Sequence, residues 1–301
     1  MLTRKSFRIP DATGQLCYTG TMYLGIDIGG TKTLIAAFDR SGEITGKVKF
    51  PTDKDYPKFL GDLERHLADL PAGKNGFEAC AAGIPAMVID RDKGIGVKFG
   101  NLPWTDVPVR DDISRICGCP ALIENDAKLA CLSEATLLRG TYHRVLYMTV
   151  STGIGFAFVD AGVIDTNFGD AGGRGMLLEH DGKEMAWEDF ASGRAIVERY
   201  GKKAGEIDDE AVWREICNDL AQGMVRLVGQ VRPEVIVIGG AVGTHFAKYG
   251  AILNETLANY PGFSGPAPVI TGAQRPEEAG IYGCYDLIRL QRKDGDDASD
   301  H

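Results

Sequence analysis

The chain has 301 residues, 44% of them hydrophobic, and 33 basic against 42 acidic side chains give a formal net charge of −9. That length allows one large or two medium domains with sizeable cores. The acidic balance argues against a general nucleic-acid or membrane-surface binder, and no apolar run reaches the length of a membrane span.

Residues 1–21 carry Arg4, Lys5 and Arg8 but no apolar core segment, so they read as an extension and not as a signal peptide. Leu24–Ile28 is a short apolar strand that closes on Gly29, Gly30, Thr31 and Lys32, and a second strand, Thr33 to Asp39, follows at once. Glycines let a bound phosphate approach the turn backbone, Thr31 and Lys32 can donate to its oxygens, and Asp27 can hold a water on Mg²⁺. An ordinary Gly-Gly hairpin turn is the structural alternative.

Gly42 to Phe50 reads as a third strand. Phe59, Leu60, Leu63, Leu67 and Leu70 recur at three- and four-residue steps, which predicts an amphipathic helix. Phe77–Ala82 is a short buried strand closed by Gly83-Ile84-Pro85, Met87–Asp90 continues extended, and Asn101-Leu102-Pro103-Trp104 is a loop. Pro108–Ile116 is a short helix and Ala121–Glu124 a strand. Asn125 and Asp126 stand at its end, where either can cap a helix over Ala127–Leu138. An ionised Asp126 there can take the proton of a sugar hydroxyl as that hydroxyl attacks a phosphate, the one base that phosphoryl transfer needs.

Residues 145–164 repeat the opening pattern: an apolar strand, a small-residue turn (Ser151, Thr152, Gly153, Gly155), then a second apolar strand. Two such hairpins in comparable contexts point to two related lobes, each presenting a turn to phosphate. A Gly-rich loop, Gly169–Gly175, follows. Helices are predicted from about Trp187 to Tyr200 and through Trp213–Val228, and Val235–Ile238 is an apolar strand ended by Gly239-Gly240-Ala241, where a base or ribose can lie against the backbone. Glu188 can accept hydrogen bonds from sugar hydroxyls, or can be a solvated acid at a helix end. Pro268–Ile270 is a last strand and Ala279–Leu290 a closing helix. The seven cysteines are scattered without a Cys-x-x-Cys pair, which suits reduced thiols and a cytoplasmic location.

In order, the segments Asp27–Lys32, Gly83-Ile84-Pro85, Asn101–Trp104, Glu124–Ala127, Ser151–Gly155, Glu188 with Ala191-Ser192-Gly193, and Ile238-Gly239-Gly240 resemble those of the ROK family of sugar kinases, glucokinase-like members of the actin/hexokinase ATPase superfamily. The resemblance covers residues 22–290. It implies an α/β, two-lobed actin-like (RNase H-like) fold, with mixed sheets flanked by helices and a ligand cleft between the lobes. Residues 22–125 with the C-terminal helix, about 277–292, would form the N-terminal lobe and 126–276 the C-terminal lobe. Residues 1–21 would be an extension and 293–301 a disordered tail.

The resemblance further implies ATP and Mg²⁺, a sugar acceptor and a homodimer. By it Asp126 is the general base, and Asn125, Asp126, Glu188 and Asn101 contact the sugar. Gly29, Gly30, Thr31, Lys32, Ser151, Thr152, Gly153 and Gly240 bind the nucleotide, and Asp27 holds Mg²⁺ through water. Two departures stand out. Where the family carries Gly-Glu-x-Gly-His, with sugar-binding Glu and His, this chain has Gly172-Gly173-Arg174-Gly175-Met176, and the Cys-rich zinc motif is absent, so no zinc site is expected. The chain thus reads as a divergent member of the family, with its sugar and its donor (ATP or polyphosphate) open. If Arg174 reaches the acceptor it would suit an acidic or phosphorylated sugar. The competing reading is a non-catalytic pseudokinase that binds nucleotide or sugar to sense or scaffold.

Overall fold

The computed structural model describes residues 22–70, 76–169, 171–261, 263 and 265–296. The expected extension at 1–21 and the last residues of the expected tail lie outside this set. The chain divides into two compact units, one running to Leu129 and resuming at Cys284, the other Ala130–Gly283. The division falls inside a helix, four residues beyond the predicted boundary at Asn125.

In the first unit, β1 (Tyr23–Ile28), β2 (Lys32–Phe38), β3 (Ile44–Pro51), β4 (Ala79–Ile84) and β8 (Ala121–Asn125) form one sheet in the order β3-β2-β1-β4-β8. β1 pairs antiparallel with β2 and parallel with β4, and β4 pairs parallel with β8. β1 is central: Leu24, Ile26 and Ile28 on one face are fully buried and Tyr23 and Gly25 on the other are buried too, as a strand covered on both faces requires. Helix α1 (Tyr56–Leu67) begins where the Asp55 carboxylate accepts the Lys58 N–H, and buries Phe59, Leu63 and Leu67 one turn apart.

A small sheet of β5 (Ala86–Asp90), β6 (Ile95–Phe99) and β7 (Thr105–Val107) follows β4, and only its first strand was foreseen. Helix α2 (Val109–Cys117) ends at Gly118 in the left-handed region. Helix α3 (Asp126–Leu137) begins directly at the end of β8 and carries the chain into the second unit.

The second unit repeats the first. Its sheet holds β9 (Arg144–Val150), β10 (Ile154–Asp160), β11 (Val163–Ile164), β14 (Val235–Gly239) and β15 (Val269–Gly272) in the order β11-β10-β9-β14-β15. β9 pairs antiparallel with β10 and parallel with β14, just as β1 pairs with β2 and β4. The echo between the two hairpins is therefore an echo of whole sheets. The last paired residues before each turn, Ile28↔Thr33 and Val150↔Ile154, align the two copies, so Asp27 opposite Gly83 corresponds to Thr149 opposite Gly239.

Between β11 and β14 several expectations change. Leu177–His180 and Lys183–Ala186 form an unforeseen hairpin, β12–β13, closed by Asp181 and Gly182, both at positive φ. The predicted helix 187–200 is two helices, α4 (Trp187–Ala191) and α5 (Gly193–Tyr200). Ser192 between them is extended, and its hydroxyl accepts the Ala195 N–H, so a helix cap replaces helical continuation. Helix α6 (Glu210–Val231) stacks Trp213, Cys217, Leu220, Met224 and Leu227 into the core.

α7 (Gly240–Gly243) is a single turn, and α8 (Gly250–Ala258), absent from the sequence reading, follows it. Helix α9 (Ala279–Asp296) returns the chain to the first unit. It continues past the predicted end, so 293–296 belong to a helix and not to the disordered tail expected there. No helix among the described residues is long and apolar enough to cross a membrane.

Candidate functional site

In the first unit the parallel order β1-β4-β8 brings three strand ends together. The register pairs Asp27 with Gly83, Gly83 with Glu124, and Ile84 with Asn125. Asp27 and Asp126, 99 positions apart in the chain, thus meet at one edge of one sheet. Gly83 lies between them: a Cβ there would stand 3.5 Å from Asp27 Oδ1, 3.5 Å from Asp126 Cα and 3.1 Å from a Leu129 methyl.

Both acids keep partial solvent access while being packed deeply into the protein. Burial pushes the Asp27 carboxyl up to about 6, against the pull of Lys49. Burial, reinforced by the negative charge of Asp27, pushes Asp126 up to about 7. A helix N-terminus favours the ionised form of a carboxylate. Backbone N–H groups do pull in that direction, including the Ala127 N–H at 2.9 Å on Oδ1, but desolvation outweighs them.

Asn125 is the cap: its Oδ1 accepts the Lys128 N–H at 3.2 Å, and its Nδ2 donates to the Ala86 carbonyl at 3.1 Å. A cap of this kind is worth about 1 kcal/mol. It leaves Asp126, the first helical residue, with one oxygen beyond the helix's own needs.

The turn 29–32 is closed by the Gly29 N–H to the Lys32 carbonyl at 2.9 Å. Its glycines have a packing reason of their own. A Cβ on Gly29 would sit 2.9 Å from the Lys32 carbonyl oxygen, and one on Gly30 would sit 2.8 Å from Asn101 Cβ. Thr31 and Lys32 are exposed. Asn101 therefore lies against the turn, and Lys54, which the sequence reading missed, ties the two. Its Nζ donates to the Asn101 carbonyl at 2.8 Å and to the Gly30 carbonyl at 3.4 Å. The Trp104 indole N–H in turn donates to the Lys54 carbonyl.

In the second unit the turn 151–153 is closed by the Ser151 N–H to the Gly153 carbonyl at 2.9 Å, and Thr152 is exposed. Ser151 Oγ accepts the Ala241 N–H at 2.9 Å, so this hydroxyl joins the turn to the start of α7. Gly240, at φ +76°, lies where a Cβ would meet Ser151 Oγ and Thr149 Oγ1 at 2.6 Å and the Val150 carbonyl at 2.7 Å. Only glycine suits that position.

Glu188 is buried, not a solvated helix-end acid. Its Oε1 accepts Arg174 Nε at 3.0 Å and its Oε2 the Ile154 N–H at 3.4 Å. A Cβ on Gly153 would lie 2.7 Å from Oε2, so Glu188 packs directly under the turn. Arg174 stands on a tight turn, Gly172–Arg174, in which a Cβ on Gly173 would meet Ile154 Cβ at 2.9 Å. His180 serves packing: its ring stacks on Phe190 at 4.1 Å, beside Arg199 and Asp219. Among the described residues no group of three or more His, Cys, Asp or Glu is arranged to hold a metal.

The chain is 25% identical over 314 residues to a glucokinase of Streptomyces coelicolor, an alignment that covers 88% of this chain and 97% of the relative. It is 29% identical over 275 residues to an N-acetylgalactosamine kinase of a Shewanella species, covering 79% and 87%. A solved ROK family glucokinase from Streptomyces griseus, in complex with glucose and AMPPNP, superposes with a TM-score of 0.73 at 22% identity, over 89% of this chain and 99% of that one. The ROK family model matches residues 23–291, and the chain belongs to the ROK family.

Proposed function

We infer that this chain is an ATP-dependent sugar kinase, transferring the γ-phosphoryl group to a hydroxyl of a hexose or related sugar. The observation that carries the reading is Asp126, a partly accessible carboxylate held near neutrality at the head of α3. A base poised near the working pH is what proton removal from an alcohol requires. As the new oxygen–phosphorus bond forms, Asp126 takes the hydroxyl proton, and the bond from phosphorus to the ADP oxygen breaks. Asn125, Asn101 and Glu188 are the proposed acceptor contacts. The turns 29–32 and 151–153 cradle phosphate with backbone N–H groups and with Thr31, Lys32, Ser151 and Thr152. Gly240 gives the nucleoside a bare stretch of backbone.

A divalent cation fits the first unit. Two deeply packed, partly accessible acids, each raised by desolvation and one raised further by the other, form an oxygen-rich corner that gains from added positive charge. Mg²⁺ keeps several waters and needs only one or two carboxylates beside the substrate phosphates, so Asp27 suffices to hold it. When bound it would neutralise charge developing on the transferred group. Kinase relatives acting on glucose and on an N-acetylated sugar support the reaction class. The six unpaired cysteines among the described residues support a cytoplasmic location, and a homodimer belongs to the same proposal.

The test is a coupled ADP-release screen over neutral hexoses, N-acetylated hexosamines, uronic acids and sugar phosphates, with and without Mg²⁺. Sugar-dependent ADP release that requires Mg²⁺ and vanishes in Asp126→Asn is expected. Nucleotide binding without sugar-dependent release across the panel would instead identify a pseudokinase.

A further inference from the structure

We propose that Arg91 is a positioning residue for Asp126, acting through Glu124 and the backbone of Asn125; this rests on the reading of Asp126 as the base. Glu124 sits on β8 two residues before Asp126 and is buried. Arg91 grips it with a two-pronged contact, Nε to Oε2 at 2.8 Å and Nη2 to Oε1 at 2.6 Å. The same Oε1 accepts the Asn125 N–H at 2.7 Å. The carboxylate that Arg91 immobilises therefore fixes the peptide that turns β8 into α3.

Beyond it, Asn125 is held at both ends of its amide, to the Lys128 N–H and to the Ala86 carbonyl. Asp126 is the next residue, so its direction is set by a chain of bonds that begins at Arg91. A partly buried ion pair is a poor device for stability, since desolvating the charges consumes much of the attraction, but it is a good device for fixing geometry.

Arg91 is itself anchored. It follows β5 in the turn to β6, and the Arg110 guanidinium donates to the Arg91 and Asp92 carbonyls at 3.2 Å each. The turn closes through the Gly94 N–H to the Asp90 carbonyl at 2.8 Å. The sheet that begins with β5 also leads, past β6, into the loop carrying Asn101, and the Gly100 N–H donates to the Pro85 carbonyl. One small sheet thus holds both the acceptor loop and, through Arg91 and Ala86, the head of α3. The sheet couples acceptor placement to base placement.

The experiment compares Arg91→Met, Arg91→Lys and the double variant Arg91→Met with Glu124→Gln, which removes both charges and so avoids stranding a buried carboxylate. In the double variant the fold is retained, kcat per folded molecule falls about 10- to 100-fold, and KM for ATP stays within about twofold. Arg91→Lys, which keeps the charge but not the fork, falls between. ¹³C-carboxyl NMR gives the titration of Asp126 in the absence of substrate, and it moves in the double variant.

Loss of thermal stability with unchanged kcat per folded molecule and an unchanged Asp126 titration would overturn the proposal. If the wild-type protein phosphorylates no sugar, the kinase reading fails, and the NMR titration still decides whether Arg91 sets the state of Asp126.

Discussion

Asp27 and Asp126 stand on either side of a single glycine, and the charge of Asp27 makes Asp126 harder to ionise. Gly83 supplies the space, and the parallel pairing of β1, β4 and β8 supplies the alignment. Two carboxylates placed so close in a partly desolvated corner oppose folding at neutral pH. Both groups are raised, so the protein is most favoured, as far as these two are concerned, when both are protonated. That contribution is complete below the unfolded value near 4 and is lost as pH rises through about 6 for Asp27 and about 7 for Asp126. Asp126→Asn should therefore raise the melting temperature at pH 8, by the equivalent of about 2 kcal/mol after allowing for partial solvent access, and change little at pH 4. The same variant should lose about 10²- to 10⁴-fold in kcat. Differential scanning fluorimetry at the two pH values, beside turnover, checks both. A variant that is less stable at pH 8 than wild type contradicts the assignment of strain to this carboxyl.

The dependence of one acid on the other gives a second expectation. Asp27→Asn removes the like charge, so Asp126 should titrate below about 7, while burial alone keeps it above the ordinary carboxylate range. NMR titration of Asp126 without nucleotide reads this directly, free of any effect on metal binding. In the wild-type enzyme kcat/KM for the sugar should rise through the neutral range as Asp126 loses its proton. An acidic limb near pH 4 would point to a different base.

Much of this arrangement was legible in the chain. The hairpin at Leu24–Asp39 and its echo at 145–164 foretold two sheets of one design, because strand period and small-residue turns are local signals. The Asn125-Asp126 cap was legible for the same reason. What could not be read were contacts set by crossover connections: the bond from Arg91 to Glu124 spans 33 positions and that from Lys54 to Asn101 spans 47. No spacing rule announces either. Asp181-Gly182 is different, since Asp-Gly between two short runs is in itself a strong hairpin signal. The glycines at 29 and 30 show a further limit. Sequence alone offered phosphate approach as their reason, whereas the Lys32 carbonyl and Asn101 already demand them.

Glycines in the second unit separate binding from folding. Gly240→Ala places a methyl at positive φ against a backbone carbonyl 2.7 Å away, so neither strain nor contact can relax by a side-chain movement. A loss of about 2–4 kcal/mol in stability is expected. Gly153→Ala meets the Glu188 carboxylate instead, 2.7 Å away but at the tip of a side chain. It should cost about 1 kcal/mol while displacing Glu188 from the Ile154 N–H, and nucleotide affinity should fall more than stability. Urea denaturation and nucleotide titration of both variants distinguish the two outcomes. Equal losses in both measurements for Gly153→Ala would mean that the turn serves folding alone.

Arg174 decides what Glu188 offers a ligand. Glu188 Oε1 is occupied by Arg174 Nε, and Oε2 faces the Ile154 N–H. A carboxylate so engaged is a weaker partner for a sugar hydroxyl than the free acid that the sequence suggested. The Arg174 side chain is half exposed, and among the described residues its bond to Glu188 is made through Nε, which leaves Nη1 and Nη2 as further donors. A planar fork fixed on one edge by a buried acid is preset to receive an oxyanion on the other. Its charge also cancels that of Glu188, which would otherwise repel an acidic ligand. Uronic acids or sugar phosphates should then exceed glucose in kcat/KM, and Arg174→Ala should lower that ratio about 10- to 100-fold, the worth of one charge-assisted contact. The measurement is competition between a neutral and an acidic acceptor in one reaction, which cancels any change in the amount of folded enzyme. A ratio unmoved by Arg174→Ala would leave Arg174 as a brace for Glu188, and specificity would then be sought in the first unit, around Asn101 and Asn125.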